Sequence, residues 1–327
     1  MSSVKKIVIF RALKLGDMLC SIPAIRGIRK LHPDAHIALT GHPQMEALFS
    51  RYGHYVDEFI PFAGFPGMPE SPIDSLKVWD TIKYIQDKEF DLAVQLHGSG
   101  ELSNTVVSLF NSRKVIGHYR TGNFRHTSHD FKPYPENVHE VERCLSILEL
   151  FGYETTDKSL EFYIMDEDYE ELNRKTHYPT IKNPYICLHS GASNEFKRWS
   201  DDKFAKLADW LCEKGLEVVF TGSLFETPLI KKITSQMKHV AHDFSHYNLE
   251  LGPLAALIKN SRGLICNDTG VSHLAVALKV PSIVLFIQTD PVRWAPLDSN
   301  LHKWVWNPDV DKVFQLSKDF LLKEKVQ

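Results

Sequence analysis

Short apolar runs recur along the chain, and most are followed by a longer stretch with helical spacing. The runs are KIVIF (6–10), HIALTG (36–41), DLAVQL (91–96), KVIG (114–117), YICLHSG (185–191), LEVVFTG (216–222), GLICND (263–268) and PSIVLF (281–286). Continuous apolar runs of this kind suit strands of a parallel sheet covered by helices on both faces. Between them, SDDKFAKLADWLCEKG sets Leu207, Trp210 and Leu211 at helical spacing, with Ser200 as an N-cap and Gly215 as a stop. This alternation predicts an α/β protein.

The order of elements restarts halfway. KKIVIFRALKLGD and PYICLHSGASNEFKRW each put a first strand before a loop and a helix. Between the halves, MDEDYEELNRKTHYPTIKNP (165–184) reads as a charged helix followed by a linker, which places a boundary near 170–183. The expected architecture is two Rossmann-like, doubly wound domains, 1–170 and 171–327, facing a cleft into which the C-terminal ends of their strands point. DVDKVFQLSKDFLLKEKVQ reads as a closing helix. FIPFAGFPGMPESPID (59–74), rich in Pro, Gly and Phe, reads as a long loop and a candidate mobile lid.

At 327 residues the chain is long enough for two such domains. A net charge of -3 gives no global reason to expect nucleic acid as a partner, so any basic surface must be local. The five cysteines contain no CxxC pair and read as reduced, mostly buried thiols, neither a disulfide framework nor a zinc site. HTSHD (126–130) and His139-Glu140 lack a helical HExxH or a cysteine partner, so no metal is expected. The start, MSSVKKIVIFRALKLGD, reads as a first strand and not as a signal peptide or membrane span. The expected location is cytoplasmic, with a peripheral contact to the inner membrane left open.

The chemistry concentrates after the strands. In GLICNDTGVSHLAVALKVPSIVLF (263–286), Asp268 or Thr269 can cap a helix that begins near Gly270, with His273 in its first turns. Gly270 lets a ligand approach the backbone, and the free N–H groups of the helix start suit a phosphate or sugar hydroxyls. The alternative is an ordinary capped helix. In HSGASNEFKRW, Ser190, Gly191, Ala192 and Ser193 can cradle phosphate, with Lys197 as a point charge; the spacing is not that of a Walker A loop. After FTG, Glu226 could accept both hydroxyls of a ribose.

In the first half, Asp17 follows the first strand in FRALKLGDMLCSIPAIRG, where it could accept a proton from a nucleophilic hydroxyl or merely cap the helix. Pro23 would sit in the first turn of that helix or kink it. VQLHGSGELSN (94–104) carries Gly98 and Gly100 but has Ser103 where GxGxxG requires a third glycine. A tight loop admitting a substrate is the better reading. NSRKVIGHYRTGNFRHTSHDFK (111–132) sets Arg113, Lys114, Arg120, Arg125 and Lys132 against Asp130 alone, which points to an anionic partner such as a phosphorylated glycolipid, or to a solvated face.

Taken together, RALKLGDMLCSIPAIRGIRKLHP, DLAVQLHGSGELSN, HSGASNEFKRW and NDTGVSHLAVALKVPSIVLF, followed by Thr289-Asp290-Pro291, resemble glycosyltransferase family 9, the bacterial ADP-heptose:lipopolysaccharide heptosyltransferases. The DTGxxHLAxAL block is the specific part. The resemblance implies a two-domain glycosyltransferase B fold and transfer of heptose from ADP-L-glycero-D-manno-heptose to a lipopolysaccharide core acceptor, with inversion and without metal or cofactor. The loop of Ser190, Gly191 and Ala192 is read to the donor, and Gly98, Arg120 and Arg125 to the acceptor, from their own residues; by the family's pattern Asp17 matches the base, Lys197 the lysine on the donor phosphates, and Asp268, Thr269, Gly270 and His273 the donor-binding turn. Glu226 would match the ribose-binding acid. Ile287-Gln288 stands where members commonly read Gly-Pro, a departure beside the donor pocket. The rival readings are another nucleotide-sugar, a sugar-nucleotide epimerase, or a non-catalytic nucleotide-sugar or glycolipid binding protein.

Overall fold

The computed structural model describes residues 4–70, 73–125 and 130–322, and the chain divides into two units, Met1–Leu160 and Glu161–Gln327. The first unit runs β1 (Lys6–Arg11), α1 (Leu15–Leu31), β2 (His36–Gly41), α2 (Glu46–Phe49), β3 (Glu58–Pro61), α3 (Val78–Asp87), β4 (Leu92–Gln95), α4 (Ser103–Ser108), β5 (Lys114–Tyr119), β6 (Asp130–Pro133) and α5 (Glu140–Leu145). The second runs α6 (Asp166–Lys175), β7 (Tyr185–His189), α7 (Asp201–Glu213), β8 (Glu217–Phe220), α8 (Thr227–Thr234), β9 (His242–Asp243), α9 (Leu251–Lys259), β10 (Gly263–Asn267), α10 (Gly270–Ala277), β11 (Ser282–Phe286), α11 (Pro291–Trp294), β12 (His302–Trp306) and α12 (Val310–Phe320).

Each unit holds one six-stranded parallel sheet, in the orders β3-β2-β1-β4-β5-β6 and β9-β8-β7-β10-β11-β12. The two orders are the same topology. In both, the first strand is central, two follow outward on one side, and the chain then crosses to build the other. The reversal falls between β1 and β4 in one unit and between β7 and β10 in the other, where doubly wound sheets bind ligands beyond the strands' C-terminal ends.

The central strands are apolar because both faces are covered. Ile7 to Phe10, Ile186 to Leu188 and Ile283 to Phe286 have no exposed surface, and full burial of one such Ile or Leu contributes about 1.5–3 kcal/mol. Phe10 meets Phe62 and Phe110 edge to face, with ring centroids 5.0 and 5.8 Å apart. The four edge strands, β3, β6, β9 and β12, are additions to the sequence reading. α7 begins after Ser200, and the chain leaves it at Gly215, as its sequence requires.

Three expectations change. The division falls at residue 160 and not 170, because the charged α6 packs on α9 within the second unit. The segment 59–74 is not loop throughout: its start belongs to β3, and Phe62 and Met68 are planted in the core. Pro23 lies well inside α1, past its first turn. HTSHD falls for the most part outside the described residues.

None of the five cysteines forms a disulfide. Cys20 on α1, Cys144 on α5, Cys187 on β7 and Cys266 on β10 are buried, and Cys212 on α7 is half-buried. Burial pushes the Cys144 and Cys187 thiols up to about 12.

Candidate active site

The second unit gathers most of its expected site residues at the β7–β10 reversal. β7 delivers Ser190, Gly191 and Ala192, and β10 delivers Asp268 directly into the start of α10. Thr269 is the N-cap residue of α10 and Gly270 its first residue, so the first amides of that helix face outward from the strand end. Lys197, in a tight turn over Glu195–Lys197, brings Nζ to 3.7 Å from Asp268 Oδ2. Burial pushes the Asp268 carboxyl up, against the pull of the Thr289 hydroxyl and Lys197. Ser190 Oγ is buried without a hydrogen-bond partner among the described residues. An orphaned hydroxyl costs about 1–3 kcal/mol, which a ligand acceptor or donor would recover.

Glu226 closes the same site from β8. Its Oε2 accepts from the Ser223 N–H at 2.7 Å and the Ser223 hydroxyl at 2.9 Å. Its Oε1 lies over Gly191, where a Cβ would come within 1.6 Å of it. That close approach explains the glycine. Oε1 is also 4.0 Å from Nε2 of His189, a buried ring whose Nδ1 pairs with the Thr221 hydroxyl at 3.0 Å. Burial lowers the His189 pKa, so the ring is neutral near pH 7. His273 is buried on α10 with its ring 5.9 Å from that of Trp294.

Asn267 is the residue the sequence reading missed. Fully buried, its Oδ1 accepts from the Trp199 N–H at 2.9 Å and its Nδ2 donates to the Ser190 carbonyl at 2.8 Å. One amide thus fixes the Ser190 loop and the segment after Lys197 together. The signal was present in "ICND", a polar residue ending an apolar run.

In the first unit, Asp17 and Gly98 stand at the ends of β1 and β4. The N-cap position of α1 falls on Lys14, so Asp17 sits in the first turn and is not the cap residue. Arg11 ties the two loops: its Nε donates to the Asp17 carbonyl at 3.0 Å, Nη1 to the Leu96 carbonyl, and Nη2 lies 3.8 Å from Asp17 Oδ1. Nη2 also donates to Glu140 Oε1 at 3.0 Å, and Arg143 pairs with the other oxygen of that buried carboxylate. Arg11 breaks the apolar run of β1 because it anchors this network. Gly100 has φ of +86°, and a Cβ there would meet the Asn104 amide and the His118 carbonyl at 2.4 Å.

The basic tract is largely neutralised. Arg113 pairs with Asp91 at 3.1 Å, Lys114 with Asp130 at 2.6 Å, and Lys132 with Glu149 at 2.5 Å. Arg120 binds Glu136 through two nitrogens, at 2.7 and 2.9 Å. Arg125 lies over the Tyr119 ring at 4.1 Å.

Each of the two doubly wound, Rossmann-like units thus places polar side chains beyond its strand ends, Ser190, Lys197 and Asp268 in the second and Asp17 in the first. Residues 78–320 match the family model of glycosyltransferase family 9 (heptosyltransferase), and the chain belongs to that family. It is 27% identical over 301 residues to lipopolysaccharide heptosyltransferase 3 of Escherichia coli (strain K12), covering 89% of this chain and 86% of that one. Among solved structures it is similar to the E. coli ADP-heptose LPS heptosyltransferase II, with a TM-score of 0.79 and 19% identity over 97% of this chain and 98% of that chain. It is also similar to the E. coli heptosyltransferase WaaC with ADP-2-deoxy-2-fluoro heptose, with a TM-score of 0.70 and 17% identity over 96% and 99%. The epimerase and binding-protein readings are set aside. Among the described residues no helix is long and apolar enough to cross a membrane.

Proposed function

We propose that the chain moves a heptose from an ADP-activated donor to a lipopolysaccharide core acceptor, with inversion and with Asp17 as general base. The reading assigns the donor to the second unit and the acceptor to the first. One observation carries it: Lys197, the first amides of α10 and the unpartnered Ser190 hydroxyl collect at a single strand reversal, with Glu226 beside them.

The acceptor hydroxyl attacks the anomeric carbon while the bond to ADP breaks on the opposite face. Negative charge then concentrates on the departing diphosphate. Lys197 and the N–H groups near Gly191 and Gly270 stabilise it, and this electrostatic help supports a reaction that runs without a metal. The hydroxyl becomes acidic only as it bonds to the cation-like carbon, so a weak base such as Asp17 suffices for a late proton transfer. Arg120 and Arg125 are assigned to anionic groups of the acceptor, for which Arg120 would exchange Glu136. A cytoplasmic location, with peripheral contact at the inner membrane, goes with these substrates.

The deciding experiment is calorimetric titration with ADP, UDP, GDP and ADP-heptose in the presence of EDTA, followed by transfer to a heptose-deficient lipopolysaccharide core. Binding of ADP and ADP-heptose alone, with turnover, is the expected result. Preference for UDP or GDP would overturn the donor assignment.

A further inference from the structure

A cavity of about 260 Å³ opens in the first unit where β4 ends, and its lining does not suit an anion. Among the described residues the lining includes Glu70 and Glu101 and neither lysine nor arginine. The space exceeds that of a single water, whose share of liquid volume is about 30 Å³. Met68, Pro69 and Leu102 give it an apolar side.

His97 is oriented for a defined task there. Its Nδ1 accepts from the Ala12 N–H at 3.1 Å, so a neutral ring carries its proton on Nε2. The ring stacks on Phe10 at 5.1 Å and 12°, which fixes its plane. Nε2 lies 3.9 Å from Glu70 Oε2, too far for a direct hydrogen bond. A single hydroxyl spans that gap: its oxygen accepts from Nε2–H and its hydrogen goes to the carboxylate. The His97 ring holds the Glu70 carboxyl below its usual range, so near neutral pH it accepts only. A phosphate or carboxylate in the same place would face Glu70 and Glu101 with no lysine or arginine among the described lining residues to offset them.

We infer that this cavity is a subsite for an uncharged carbohydrate ring of the acceptor, held by one hydroxyl between His97 Nε2 and Glu70, with the ring's C–H face on Met68, Pro69 and Leu102. The inference rests on the reading of the first unit as acceptor-binding. Anionic groups of the acceptor are read elsewhere. His97 and Glu70 are specificity residues in this scheme, and the chemical step stays with Asp17.

The test uses the full chain with ADP present. Saturation-transfer NMR is run with the methyl glycosides of heptose and glucose, each with and without a 4-phosphate. A neutral glycoside should show transfer at a concentration where its phosphorylated form is at least tenfold weaker. Glu70→Ala should weaken the neutral ligand at least fivefold, and Glu70→Lys should turn the preference toward the phosphate. Both variants should keep wild-type ADP affinity by calorimetry, which reports their folding. The subsite is overturned if neither neutral glycoside binds, if the phosphorylated forms bind equally well, or if Glu70→Ala changes nothing. Glycoside binding without any ADP binding would instead overturn the donor reading and leave the subsite standing.

Discussion

The Glu226 carboxylate fills the space that any side chain on residue 191 would need, with Oε1 1.6 Å from where a Cβ would be built. Gly191→Ala must therefore push the carboxylate off the Ser223 N–H and hydroxyl that anchor its other oxygen. Hydrogen bonds to a charged group are worth about 1.5–3 kcal/mol, so ADP should bind roughly ten- to a hundredfold more weakly by calorimetry. Added to Glu226→Ala, the same substitution should cost little more, because the clashing atoms are gone. Wild-type affinity in Gly191→Ala alone would refute the placement.

Asp17→Asn keeps the shape of the carboxyl and removes its basicity. Turnover should fall by about 10²- to 10⁴-fold, the usual range for general bases, while KM for ADP-heptose stays within about threefold. Equal loss in both parameters would remove Asp17 from the base role and return it to a binding one.

Asn267 holds two segments that the proposal assigns to the donor, through the Trp199 N–H and the Ser190 carbonyl. Asn267→Asp replaces the group that donates to the Ser190 carbonyl with an oxygen that repels it. Urea unfolding should show a loss of about 1–3 kcal/mol, with weaker ADP binding alongside. A variant as stable as the wild type would show that Ser190 is held some other way.

Acid should destabilise the first unit through His118. Burial, with Lys132 and Arg143 nearby, lowers its pKa to about 3, and Nε2 pairs with the Ser146 hydroxyl at 2.9 Å. Unfolded, the ring titrates near 6.5, so between these values the unfolded state binds the extra proton and stability falls as pH drops. From pH 7 to pH 5 this one ring accounts for about 2 kcal/mol. His118→Asn should lose that much less over the same interval, as read by urea midpoints at the two pH values. An unchanged pH slope would mean that His118 is solvated in the folded chain.

The strands legible in the sequence are the central ones. β1, β7 and β10 are covered on both faces and read as apolar runs with polar residues only at their ends, whereas β12, with Trp304 and Trp306 half exposed, and β9, only His242–Asp243, are sheet edges. An edge strand pairs on one side only, so its composition resembles a loop. The residues proposed to hold the donor were readable for a different reason: Asp268, Thr269, Gly270 and Lys197 lie in short local motifs. Arg11 and Asn267 stand out only as polar residues ending apolar runs, and their roles were not readable because their partners lie far away in sequence, at Glu140 and Ser190. A tract of five cations suggested an anion surface, but its carboxylate partners include Asp91, Glu136 and Glu149, which pattern reading does not bring near.

The buried cysteines give each unit a clock of its own. A thiol is alkylated as its thiolate, and burial withholds that form from Cys20 and Cys144 in the first unit and from Cys187 and Cys266 in the second. Once a unit opens, its pair returns to an ordinary value near 8.5 and reacts. Iodoacetamide pulses followed by peptide mass spectrometry would then time the opening of the two units separately within one uncut chain, with Cys212 labelling first as the internal reference.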